Sequence, residues 1–176
     1  MKLRQFGFIA ALLTAASIAG SGVRPHRPVD DARPAGNDQV MDLNGLPDVE
    51  FGDTEQDLTR RGLLQAGVEA CGLTLAGHAA ASPVFVDDRL VLLWVDDSFR
   101  TPEGITVGTP VAEVQARYRT THRLVAPQGT HRFDGLLAAS GDRAYLFLHD
   151  GGTVRKVIVG YADWARRLFD EGHGPC

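Results

Sequence analysis

Phe51-Gly52-Asp53-Thr54-Glu55-Gln56-Asp57-Leu58-Thr59-Arg60-Arg61 and Val107-Gly108-Thr109-Pro110-Val111-Ala112-Glu113-Val114-Gln115-Ala116-Arg117 are two versions of one pattern. Gly52 aligns with Gly108, Asp57 with Glu113, Leu58 with Val114 and Arg61 with Arg117, each pair 56 positions apart. A glycine turn that opens an amphipathic helix, used twice, predicts one helix-plus-strands unit in tandem, over about 49–100 and 105–160.

Working outward from the first copy, Asp53 is the expected N-cap, with Gln56 at capping-box spacing. The helix is expected to run through Leu63 and Leu64 and to stop at Gly67. Leu73-Thr74-Leu75 alternates weakly as a strand. Pro83-Val84-Phe85-Val86 and Arg89-Leu90-Val91-Leu92-Leu93-Trp94-Val95 are β-rich runs split by Asp87-Asp88, which predicts a hairpin. In the second copy Thr109 is the expected cap and Pro110 the first helical residue. Val111, Val114 and Tyr118 share a helical face. Leu124-Val125 and Arg132–Leu137 read as strands. Arg143–Leu148 and Thr153–Val159 flank His149-Asp150-Gly151-Gly152, the clearest hairpin in the chain. Tyr161–Phe169 predicts a closing helix, with Tyr161, Trp164 and Leu168 on one face and an extended tail to residue 176. The fold class is therefore α+β, a mainly antiparallel sheet built from two similar helix-plus-hairpin units, with helices on one face.

The Gly-x-[Thr/Pro]-x-x-[Asp/Glu]-[Leu/Val] pattern, twice, each followed by hairpins, resembles the small exported bacterial proteins related to β-lactamase inhibitory protein. It is also similar to the small lipoprotein of the outer-membrane assembly machine. The resemblance covers residues 49–160 in outline. It implies a helical segment packed on an antiparallel sheet, single or in tandem, and a protein-binding or envelope role without catalysis.

The start of the chain reads as an export signal over 1–20. Lys2 and Arg4 precede an apolar run from Phe6 to Ala16, and Ser17 and Ala19 fit a cleavage site after Ala19. The run is shorter than the roughly 20 apolar residues a bilayer span needs. Ile18-Ala19-Gly20-Ser21 has the shape of a lipoprotein box with Ser in place of the required Cys, so acylation there is not expected. Residues 21–45 hold prolines and charges and read as a disordered linker. The folded part is expected at 46–176. The Arg-, Ala- and Gly-rich composition suggests a GC-rich bacterial genome. Secretion, outside the cytoplasm, is the expected location.

The formal net charge is −4, and loss of Lys2 and Arg4 with the signal makes it −6. An acidic chain with Lys2 and Lys156 as its only lysines is not expected to seek nucleic acid. Cys71 and Cys176 are the only cysteines, and an even count in an exported chain reads as one disulfide. Such a bridge would close a loop of about 105 residues, for roughly 4–5 kcal/mol in the chain-entropy model. The alternative is two reduced thiols, which intact mass before and after reduction separates.

No constellation of residues points to catalysis. Asp87-Asp88 and Asp96-Asp97 could ligate Ca²⁺, but they flank a strand and read as turn residues. His26, His78, His122, His131, His149 and His173 show no zinc spacing, and His149 is expected to be exposed. Ser140 lies in a turn, with no Gly-x-Ser-x-Gly elbow. No catalytic, metal-binding or cofactor-binding residue is assigned, and no cofactor is expected. Trp94, Trp164, Tyr118, Tyr145 and Tyr161 are candidate interface anchors, with core packing the competing reading for Trp94 and Tyr145. The expected function is a secreted, non-enzymatic module that binds another secreted or envelope protein. The alternative is a secreted hydrolase or metal-dependent enzyme with a non-standard site.

Overall fold

Two long hairpins lie side by side in the middle of the molecule. The computed structural model describes residues 39–66 and 72–172. The expected signal, the linker through residue 38, and Cys71 and Cys176 with their expected bridge lie outside the described residues. So does the tail from His173.

The elements in order are β1 (Gln39–Val40), β2 (Gly45–Leu46), β3 (Val49–Glu50), α1 (Glu55–Arg60), β4 (Leu64–Ala66) and β5 (Leu73–Leu75). They continue as β6 (Ala81–Val86), β7 (Arg89–Val95), β8 (Phe99–Arg100), α2 (Val111–Arg117) and β9 (His122–Leu124). The chain then forms β10 (Asp134–Ser140), β11 (Arg143–His149), β12 (Val154–Tyr161) and α3 (Ala162–Glu171). The main sheet has the order β6-β7-β12-β11-β10-β9, antiparallel throughout. Among the described residues only the short β1–β8 pair is parallel. The class is α+β and mostly antiparallel.

Asp87 and Asp88, both at positive φ (49° and 63°), form the tight turn of the β6–β7 hairpin. Short polar side chains tolerate this left-handed region better than most, and it matches the twist of the strands. The β7–β12 seam pairs Val95 with Val157, Trp94 with Ile158, Leu93 with Val159 and Leu92 with Gly160. Gly160 is required there. A Cβ on it would lie 2.2 Å from the carbonyl oxygen of Val91.

Alternating residues feed two cores, one on each face. Leu93, Val95, Tyr145, Phe147, Val157 and Val159 join Leu58 of α1 and Val114 of α2 on one face. Their neighbours Leu146 and Ile158 join Ala165 and Phe169 of α3 on the other. The expectation of helices on one face is thereby corrected, since α1 and α2 lie on one side and α3 on the opposite side. The physical reason is the strand period of two. Central strands this apolar at successive positions must be covered on both faces.

Four local expectations also change. Helix α1 ends at Arg60, because Gly62 at φ 71° turns the chain, and Leu64–Ala66 pairs with Leu73–Leu75 as strand β4. Its N-cap is Thr54, whose hydroxyl accepts from the Asp57 N–H at 3.0 Å, while Asp53 accepts from the Glu50 N–H. In α2 the cap position is Pro110, and the Thr109 hydroxyl accepts from the Thr106 N–H. Residues 39–45, placed in the linker by composition, are packed: β1 pairs with β8, and Met41 is wholly buried. Met41 and Leu43 are too isolated in sequence to form a periodic signal, and only their long-range partners bury them.

Candidate functional site

The α3 face of the sheet is only partly covered. Helix α3 runs from Tyr161 back over β12, β11 and β10 and anchors Phe169 against Gly135 and Leu146. Gly172, at φ 74°, ends it. Beside the helix an apolar hollow of about 200 Å³ remains open, floored by Trp94, Leu148 and Phe169 and edged by Arg132, Phe133 and Lys156.

Trp94 comes from near the C-terminal end of β7 and is half-buried. Its indole N–H is shielded from solvent and has no hydrogen-bond partner. The Lys156 ammonium lies over the indole ring, 5.2 Å from its centroid. The Arg132 guanidinium lies 5.4 Å from the Phe169 ring centroid, against the C-terminal end of α3. Both cations thus rest on aromatic faces, contacts worth roughly 0.5–1 kcal/mol each at exposed sites. The helix end, negative in its dipole, also favours Arg132. Among the described residues, neither cation has a carboxylate partner.

On the opposite side a wider cleft of about 560 Å³ is floored by Tyr118 and Tyr145. Their rings, 5.6 Å apart, pack with Phe147. The Tyr118 hydroxyl donates to Glu103, and the Tyr145 hydroxyl donates to the Met41 carbonyl at 3.4 Å. Burial holds both phenols in the neutral form well above the ordinary tyrosine range. Ser140 lines this cleft together with the carboxylates of Asp42 and Glu103, and no histidine or cysteine is among its lining residues.

The other residues singled out by sequence serve the fold. Asp96 accepts from the backbone and hydroxyl of Ser98, as a turn residue does. His122 opens β9 opposite Leu137, and His131 lies in the loop before β10 without a hydrogen bond to it. His78 bridges Asp48, at 2.7 Å, and Gln39, fastening β1 to the turn between β2 and β3. Among the described residues no three His, Cys, Asp or Glu side chains gather as a metal site. His26 and His173 fall outside the described residues.

His149 overturns its expected exposure. It is only 5% exposed. Its Nδ1 accepts from the Gly151 N–H at 3.1 Å, which leaves Nε2 as the protonated nitrogen, buried and without a partner. Burial lowers its pKa below the ordinary histidine value, against the opposing pull of Asp134 across the strand pair. The hairpin turn that follows it is polar, but the residue itself belongs to the strand.

Of the five candidate anchors, Tyr145 is core, Tyr118 and Tyr161 are partly buried against it, and Trp94 of β7 and Trp164 of α3 are partly buried against the core on the other face. Arg132 and Lys156 were not singled out by sequence. The available signal is Arg155-Lys156, two consecutive charges inside an apolar strand. The structure makes a β-bulge there.

No protein-family model, curated protein or solved structure matches the chain. Among the described residues no helix is long and apolar enough to cross a membrane.

Proposed function

We propose that this is an exported bacterial protein made of two copies of one helix-plus-hairpin unit, acting as a non-enzymatic module that binds another secreted or envelope protein. A Cys71–Cys176 bridge belongs to the same reading. The observation that carries it is the match in backbone hydrogen bonding between the two halves. The Gly52 N–H donates to the Leu90 carbonyl, and the Leu90 N–H donates to the Asp53 carbonyl. The Gly108 N–H donates to the Val154 carbonyl, and the Val154 N–H donates to the Thr109 carbonyl. Both glycines take positive φ, 101° and 91°. Thr54 bridges to Arg89 as Pro110 does to Thr153. The extra residue of each hairpin falls at the same place, Val91 in one and Arg155 in the other. The seam between the hairpins is symmetric about the Trp94–Ile158 pair.

Bulges are specific local devices, and coincidence of two with four hydrogen bonds supports duplication of a unit. A tandem unit on an antiparallel sheet is what the resemblance to the β-lactamase inhibitory protein group implies, and binding is the function that goes with it. The test is affinity capture with the immobilised mature protein from exported and envelope fractions of the producing organism. The captured protein is then purified and titrated by calorimetry. A saturable one-site isotherm is the expected result. Repeated capture of nothing above a control surface refutes the proposal.

A further inference from the structure

We propose that the hollow beside α3 is where the partner docks, and that the docked segment carries a carboxylate next to an apolar side chain. The inference rests on the binding-module reading and adds the place and the chemistry. The argument is charge complementarity. The protein is acidic overall, yet at this hollow two cations, Arg132 and Lys156, stand without carboxylate partners. The exposed arginines of α3, by contrast, are paired along the helix, Arg166 with Asp170 and Arg167 with Glu171. Arg132 and Lys156 are held instead on the rings of Phe169 and Trp94, which fixes their positions while leaving their charge unanswered. Between them lies apolar floor that includes Leu148.

The two halves of the sheet differ at this point. Leu92 and Lys156 follow their respective bulges at equivalent places. Leu92 is buried, beside a hollow lined by Trp164 and Leu168 of α3, whereas Lys156 is exposed. Helix α3 therefore borders the Leu92 position and leaves the equivalent position in the other hairpin open, with a lysine in place of the leucine. Aromatic and cationic side chains around an apolar centre are the composition of interaction hot spots. The hollow also has a direction. Past Trp94 it adjoins a second depression that Lys156 also lines, together with Asp96, Asp97 and Arg155, so the partner's carboxylate belongs on the Arg132 side of Lys156.

The probe is a random twelve-residue peptide library displayed on phage. It is panned against the intact mature protein and, in parallel, against a Lys156→Glu/Arg132→Glu variant whose unfolding midpoint is first shown to match wild type. The expected outcome is enrichment of peptides with Asp or Glu beside Leu, Phe or Trp. A synthesised winner should shift the Trp94 indole N–H resonance, which Trp164→Phe assigns. It should bind the double variant at least about tenfold more weakly and lose affinity as salt is raised. No enrichment, enrichment without acidic residues, or equal binding to the variant overturns the proposal. Binding to phosphatidylglycerol vesicles with the same Lys156 and Arg132 dependence, in place of peptides, overturns it in favour of an anionic lipid surface. A captured native partner that binds the double variant as well as wild type removes the hollow and leaves the module reading standing. A peptide that binds as described, with no native protein ever captured, removes the module reading alone.

Discussion

Replacing Gly160 with alanine attacks the seam that joins the two hairpins. The added Cβ would meet the Val91 carbonyl oxygen at 2.2 Å and the Leu92 Cα at 3.0 Å. Both are backbone atoms of a central strand held by β6 on its far side, so neither can swing away. The backbone at Gly160, φ 146°, is also closed to a residue with a Cβ. Strain of that kind costs about 1–3 kcal/mol, and overpacking a tight site adds about 1–3 kcal/mol. The sum, roughly 2–6 kcal/mol, is a large share of the roughly 5–15 kcal/mol that holds a domain folded. Gly108→Ala is the control. It shares the positive φ, 91°, but its Cβ would meet nothing within 4 Å, so only the strain applies. Urea unfolding followed by far-ultraviolet circular dichroism measures both, with an unchanged m-value confirming that the difference lies in stability. Gly160→Ala is expected to be the more destabilised by about 1–3 kcal/mol. Equal losses in the two variants, or a Gly160→Ala protein within about 1 kcal/mol of wild type, would refute the packing described at the seam.

Three further outcomes are expected. The depressed pKa of His149 means the folded state favours the neutral ring, so its contribution is complete above the unfolded value of 6.5 and declines as pH falls below it; urea midpoints from pH 8 to 5 should fall, and His149→Phe should flatten that decline, whereas an unchanged slope contradicts the assignment. Tyr118 and Tyr145 are held neutral by burial, so their contribution is lost as pH rises above 10; absorbance at 295 nm should show at most one of the three tyrosines ionising before the protein unfolds in alkali. Phe169→Ala removes the α3 anchor over Gly135 and Leu146 and should cost about 3–5 kcal/mol, with amide exchange accelerating first in α3; uniform acceleration across the sheet would show that α3 is not a separate layer.

Much of the fold was legible because its signals are local. Asp87-Asp88 and Asp150-Gly151-Gly152 can adopt turn conformations that other residues resist, and the runs beside them are β-rich over their whole length. Both long hairpins and the closing helix follow from such short-range preferences. The end of α1 was not legible. Leu63 and Leu64 continue a helical pattern, yet pairing with Leu73–Leu75 claims them for a strand, and tertiary contact outweighs propensity there. His149 was misplaced for a similar reason. A polar residue before a turn is usually outside, but strand register carried this one inward.

The chain's local chemistry, then, determined which segments turn, which extend, and that two stretches 56 residues apart share one pattern. Tertiary structure alone decided that α3 lies opposite α1 and α2, that Met41 is buried, and that Trp94, Arg132, Leu148, Lys156 and Phe169 line one hollow. Backbone preference acts over a few residues and is written in each of them. The meeting of side chains from β7, β11, β12, α3 and the loop before β10 depends on bulges, register and the direction of one helix, which no short segment specifies.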